Sequence, residues 1–94
     1  MTAEKINRIY FDHAATTPIH PDVMAVLTDA LENTFGNPSS FYKEGNVAGR
    51  AMNVAREKIA EVLDVRADEI FFTSGGTESD NWAIKGAAHA NQSK

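Results

Sequence analysis

The chain contains no cysteine. Disulfides, thiolate metal sites and a thiol nucleophile are therefore excluded within it, and a cytoplasmic setting is the default. No apolar run approaches the ~18 residues that a membrane span requires. The first residues, Met1-Thr2-Ala3-Glu4-Lys5, are polar and carry no signal-peptide core. Basic residues are few: nine Lys and Arg stand against thirteen Asp and Glu, for a net charge of -4. They are scattered rather than striped, which argues against a nucleic-acid partner. There is no internal repeat, no low-complexity tract and no pair of histidines at metal-ligand spacing. What remains is an ordinary mixture, 43% hydrophobic and 23% charged. Ninety-four residues suffice for one small domain with a modest core.

Apolar periodicity marks two helices. Met24, Leu27, Leu31 and Phe35 recur at helical spacing, which predicts a helix over residues 21–35. Pro21 suits its first turn, where a missing N–H costs nothing. Gly36 is the expected left-handed cap at its end. Ala48, Met52, Ala55, Ile59, Val62 and Leu63 form a second stripe, which predicts a helix over 46–64 with Asn46 or Ser40 as its cap. Arg56, Glu57, Lys58 and Glu61 fall mostly off that stripe. A weaker helix is expected from Trp82 to Ala90, with Gly86 as a point of interruption, followed by an unanchored polar end, Asn91-Gln92-Ser93-Lys94. Two short segments read as β: Arg8–Phe11 and Glu69–Phe72. Two strands of this length, far apart in sequence, are short of ladder partners. Either they pair with each other, or they melt into coil, or the chain is part of something larger.

The most informative run is Thr73-Ser74-Gly75-Gly76-Thr77-Glu78-Ser79-Asp80-Asn81. It lies between a β-like segment and a helical one. The first N–H groups of a helix have no intrahelical partner and sit at the positive end of its dipole. A phosphate can bind there, and Gly75 and Gly76 let it approach the backbone. Hydroxyls on Ser74 and Thr77 can add donors. The bland alternative is a cap, because Thr77 with Asp80 also reads as a capping box. No Lys-Ser/Thr follows the glycines and no G-x-G-x-x-G is present, so neither nucleotide motif applies.

Other polar candidates carry less. Asp12 and His13 are adjacent, and neighbours on an extended segment point to opposite faces, which argues against a dyad. His20 and His89 are isolated and read as solvated. Lys85 and Lys94 lie near the glycine turn, but a nucleophilic lysine needs a desolvated pocket, and Lys85 reads as a solvated helix face. Phe71, Phe72 and Trp82 read as core rather than as cofactor stackers.

Three blocks appear in order: Ile9-Tyr10-Phe11-Asp12-His13-Ala14-Ala15-Thr16-Thr17-Pro18, then Phe35-Gly36-Asn37-Pro38-Ser39-Ser40, then Ile70 to Asn81 through the glycine turn. Together they resemble the N-terminal part of a cysteine desulfurase, a pyridoxal-phosphate enzyme of the class V aminotransferase group. The likeness runs from Ile9 to Gly86. The resemblance implies an α/β parent whose large domain holds a mostly parallel sheet, with a second domain made from the two chain ends. The 94 residues alone should be mainly α with little strand, residues 1–15 forming an arm and 16–94 the start of the large domain. The resemblance further implies a homodimer that converts L-cysteine to alanine and an enzyme-bound persulfide. A sulfur-acceptor protein then carries the sulfur toward iron–sulfur clusters and thio-cofactors. It places the phosphate of pyridoxal 5'-phosphate on Gly76 and Thr77, through their backbone N–H groups and the Thr77 hydroxyl.

Small departures from the family pattern fall at Tyr42, where histidine is usual, at Asn46 and Gly49, where arginines are common, and at Asn53, where glutamate is common. The large departure is length. The lysine that carries the cofactor, the sulfur-accepting cysteine, the aspartate that pairs with the pyridine nitrogen and the histidine on its ring all fall beyond residue 94 in the family pattern. No catalytic residue is assigned within the chain, and the chain alone is expected to be inactive and to hold the cofactor weakly. Two rivals stand beside this reading: a piece of a selenocysteine lyase or other class V relative, and a non-enzymatic, self-associating helical module.

Overall fold

The computed structural model describes residues 8–93. Lys94, the expected polar start Met1–Lys5 and the first seven residues of the expected arm lie outside the described residues. Three α-helices and one 3-10 turn follow one another: α1 (Pro21–Asn33), α2 (Lys43–Leu63), the turn Ala67–Glu69, and α3 (Gly76–Ala90). The mainly helical expectation is met. Neither Arg8–Phe11 nor Glu69–Phe72 is a strand, and no strand occurs among the described residues. Each segment lacks a neighbour to complete a ladder, so the backbone is left as coil.

Helix α1 begins at Pro21, as its fixed φ favours. His20 caps it by accepting the Asp22 N–H on Nδ1 at 3.2 Å. The helix ends at Asn33, two residues short of the prediction, and Thr34 closes it onto the Ala30 carbonyl. Gly36 is not its cap, and no glycine among the described residues adopts a left-handed φ. Gly36 is needed for a different reason. A Cβ there would strike the Glu44 carbonyl, and one on Gly45 would lie 2.7 Å from the Asn37 carbonyl oxygen. The loop Asn37-Pro38-Ser39-Ser40 is thus seated on the first turn of α2. Asn37 shapes it, its side chain accepting the Ser39 N–H at 2.9 Å and its carbonyl the Ser40 N–H at 3.0 Å.

Helix α2 starts three residues earlier than predicted, at Lys43, with no side-chain cap from Tyr42. The seated loop defines that end, so neither Asn46 nor Ser40 serves as its cap. Its C-terminus is a Schellman closure. Asp64 adopts φ 55°, ψ 48°. The Val65 N–H donates to the Ala60 carbonyl at 3.0 Å and the Asp64 N–H to Glu61 at 3.3 Å. Helix α3 runs through Gly86 without interruption. The segment after it is tied down rather than loose, with Asn91 Nδ2 donating to the Ala87 carbonyl at 2.8 Å.

These elements do not close a core. The buried hydrophobic residues among those described are Ala48 and Ala60, while Phe41 is 98% and Val62 84% exposed. The radius of gyration is 18.4 Å, against about 12 Å for a compact chain of this length. Helices α1 and α2 flank an open apolar groove lined by Val26, Ala30, Ala48, Ala51, Met52 and Phe72. The large side chains of the two stripes are therefore displayed rather than packed.

Candidate functional site: the turn at the start of α3

The glycine turn is positioned from both sides by the extended segment Ile70–Thr73. Alternate residues on such a segment face opposite ways. Phe72 faces α2, where the Arg56 guanidinium lies 5.2 Å from its ring centroid. Phe71 faces α3 and meets Trp82 edge-on, with centroids 5.2 Å apart. Arg56 Nε also donates to the Ile70 carbonyl at 3.2 Å. The aromatics expected as core are thus clasps at the surface, with Phe71 64% exposed.

Helix α3 starts at Gly76, six residues before the expected Trp82, with Gly75 as N-cap in extended conformation. The Thr77–Asp80 capping box does not form. The closure lies one turn earlier, where the Glu78 carboxylate accepts the Ser74 N–H at 3.1 Å and the Ser74 hydroxyl. Those two bonds, the hydroxyl first, hold the Glu78 carboxyl below the usual glutamate range. The Thr73 hydroxyl donates to the Gly75 carbonyl at 3.2 Å and lies 2.6 Å from the Ser79 hydroxyl. The Ser74 N–H and hydroxyl are thus both directed to the Glu78 carboxylate.

The first intrahelical bond of α3 runs from the Ser79 N–H to the Gly75 carbonyl at 3.1 Å. The N–H groups of Gly76, Thr77 and Glu78 precede it and have no acceptor within the helix. A Cβ on Gly75 or Gly76 would meet no atom within 4 Å. In this chain, therefore, neither packing nor backbone strain requires glycine at either place. The start of α3 thus carries N–H groups with no helical acceptor, beside open space at the Cβ positions of Gly75 and Gly76. Gly76 and Thr77, singled out in the sequence, are adjacent in the first turn.

The remaining candidates stay apart from this turn. His13 Nδ1 pairs with the Thr17 hydroxyl at 2.8 Å and its ring stands edge-on to Tyr10. The Asp12 carbonyl, not its carboxylate, is used locally, receiving the Tyr10 hydroxyl at 2.8 Å. No dyad forms. Lys85 is exposed on α3, and no described lysine is buried. His89 is exposed and lies 3.2 Å from the Gln92 amide. No metal-binding group of acidic or histidine side chains occurs among the described residues. Two contributors escaped the sequence reading. Glu78 was hidden because its spacing to Ser74 is one longer than the familiar box. Arg56 falls off the apolar stripe, and periodicity gives such a residue no partner.

The description of the family "Aminotransferase class-V" matches residues 9–94. The chain belongs to that family. It is 50% identical over 86 residues to the cysteine desulfurase IscS of Methanosarcina thermophila, covering 92% of this chain and 21% of that protein. It is 51% identical over 77 residues to an IscS-like cysteine desulfurase of Mycobacterium tuberculosis, covering 82% and 19%. A selenocysteine lyase of Bos taurus is 42% identical over 78 residues, covering 83% and 18%. The class V aminotransferase chain thus spans about a fifth of the length of the curated relatives it matches. No helix among the described residues is long and apolar enough to cross a membrane.

Proposed function

We propose that this chain supplies the phosphate-binding turn of a pyridoxal-phosphate-dependent cysteine desulfurase. The observation that carries the reading is the pairing of acceptorless N–H groups on Gly76 and Thr77 with clear space over Gly75 and Gly76. Gly76 and Thr77 would hold the cofactor phosphate by charge-assisted bonds, reinforced by the dipole of α3. Glu78 would keep the turn in shape by occupying Ser74, leaving the phosphate to the N–H groups at the start of α3, those of Gly76 and Thr77 first. When bound, pyridoxal phosphate supplies an electron sink for bond cleavage beside the substrate amine. The chain's own part is to bind and orient the phosphate end.

The reaction in this reading takes sulfur from L-cysteine, leaves alanine, and passes the sulfur to an acceptor protein for iron–sulfur cluster and thio-cofactor assembly. The desulfurase relatives, near 50% identity, support that substrate. The selenocysteine lyase similarity supports a second reading, with selenocysteine as substrate and the same phosphate turn. The open apolar faces of α1 and α2 suit coverage by a body of the relatives' length and by a second subunit, in the cytoplasm. The 94 residues by themselves would not turn over, because they span only about a fifth of the relatives' length. The test is incubation of the 94-residue chain with pyridoxal phosphate and L-cysteine, measuring sulfide and alanine. No product is expected, and turnover by this chain alone would contradict the assignment. In parallel, Gly76→Val should weaken pyridoxal-phosphate retention in equilibrium dialysis while helix content is kept. Unchanged retention would remove the turn from the cofactor site.

A further inference from the structure

We propose that Arg56 is the positioning residue of the glycine turn. It acts through the segment Ile70–Thr73, and its importance to the cofactor rests on the phosphate reading above. No element pair among the described residues joins α3 directly to α1 or α2; the recorded packing is between α2 and the turn Ala67–Glu69. The place of α3 relative to α2 is therefore set by residues 70–75. Arg56 is the side chain on α2 that grips this segment. Its Nε donates to the Ile70 carbonyl, its guanidinium lies over the Phe72 ring, and its Nη1 donates to Asn53 Oδ1 at 2.6 Å. The last bond holds the guanidinium from behind, along α2. Arg56, Ile70 and Thr73 are half-buried in a chain that is otherwise widely exposed. One planar cation thus fixes both the backbone and a side chain of the strip that leads into Ser74. The Phe71–Trp82 contact then passes that placement to α3.

Lysine does not replace this group, because a point charge provides neither the fork that reaches Ile70 and Asn53 together nor the flat face over Phe72. Spin labels on Glu57→Cys and Lys85→Cys report the α2–α3 distance, and the lack of native cysteine makes both sites unique. The unsubstituted background should give one narrow distance. Arg56→Ala and Arg56→Lys should both lose it for a broad distribution with helix content retained. Should Arg56→Ala also lower helix content, Phe72→Leu decides: it leaves α2 untouched and should still broaden the distance. A narrow distance that survives Arg56→Lys or Phe72→Leu overturns the proposal, as does a broad one in the unsubstituted background. The phosphate reading is separated by titrating the unsubstituted chain with inorganic phosphate. If Gly76 and Thr77 amides stay still while the distance behaves as described, the clasp stands and the phosphate site falls.

Discussion

Gly45 and Gly49 lie in the same helix and should respond to alanine with opposite signs. Both substitutions gain helix propensity, worth about 1 kcal/mol in a helix interior, and both restrict the unfolded chain. The surroundings differ. At Gly49 a new Cβ would meet the Pro38 carbonyl oxygen at 3.6 Å and the Pro38 Cβ at 3.9 Å, ordinary van der Waals contact. At Gly45 it would lie 2.7 Å from both the Asn37 carbonyl oxygen and the Ser40 Cβ, and would also strike the Ser40 carbonyl. These are mostly backbone atoms of a hydrogen-bonded turn and cannot step aside alone. Overpacking of this kind costs about 1–3 kcal/mol. The propensity gains are similar and largely cancel in the comparison. Gly49→Ala should therefore be the more stable by about 1–3 kcal/mol, and Gly45→Ala should fall below the unsubstituted chain. Urea unfolding followed by far-ultraviolet circular dichroism measures both. Equal stabilisation by the two alanines would refute the seating of the Asn37–Ser40 loop on α2.

Two further outcomes follow from the helix ends. Asp64 holds a left-handed conformation at the close of α2, so Asp64→Gly should stabilise the chain by about 1 kcal/mol; a loss in urea titration would show that the aspartate side chain matters there. Glu78 has its carboxyl pKa lowered by Ser74, so its contribution to the turn is present above the ordinary glutamate pKa and disappears as pH falls through the lowered value. The Ser74 amide resonance should follow that titration and become flat in Glu78→Gln; a Ser74 amide that titrates in the variant as well would dissociate the two residues.

Helices α1 and α2 were legible because their apolar residues repeat at helical spacing over three or more turns. Their starts and stops were less so. Phe35 continues the pattern of α1, yet the chain leaves the helix at Asn33 because Gly36 must press against α2, and close approach between backbones has no local signature. Likewise α2 begins at Lys43 under a loop rather than at a polar cap. The first turns of α3 carry no apolar residue between Gly76 and Asn81, so periodicity detects the helix only from Trp82 onward. The candidate site was visible through Gly76 and Thr77 as a motif. Its supports were not, since Glu78 works through an unfamiliar spacing and Arg56 acts on a carbonyl fourteen residues away. The β-like segments show the limit of propensity: Ile70-Phe71-Phe72 is apolar enough for a strand, but a strand requires a partner.

A phosphate held on Gly76 and Thr77 should be visible directly in amide chemical shifts. The 94-residue chain, labelled with nitrogen-15, is titrated first with inorganic phosphate and then with pyridoxal phosphate. The Gly76, Thr77 and Glu78 amides should move most, in the same direction for both ligands, while the Ser74 amide stays bonded to Glu78 and moves least. Shifts confined to other parts of the chain, or a Ser74 amide that leads the response, would contradict it.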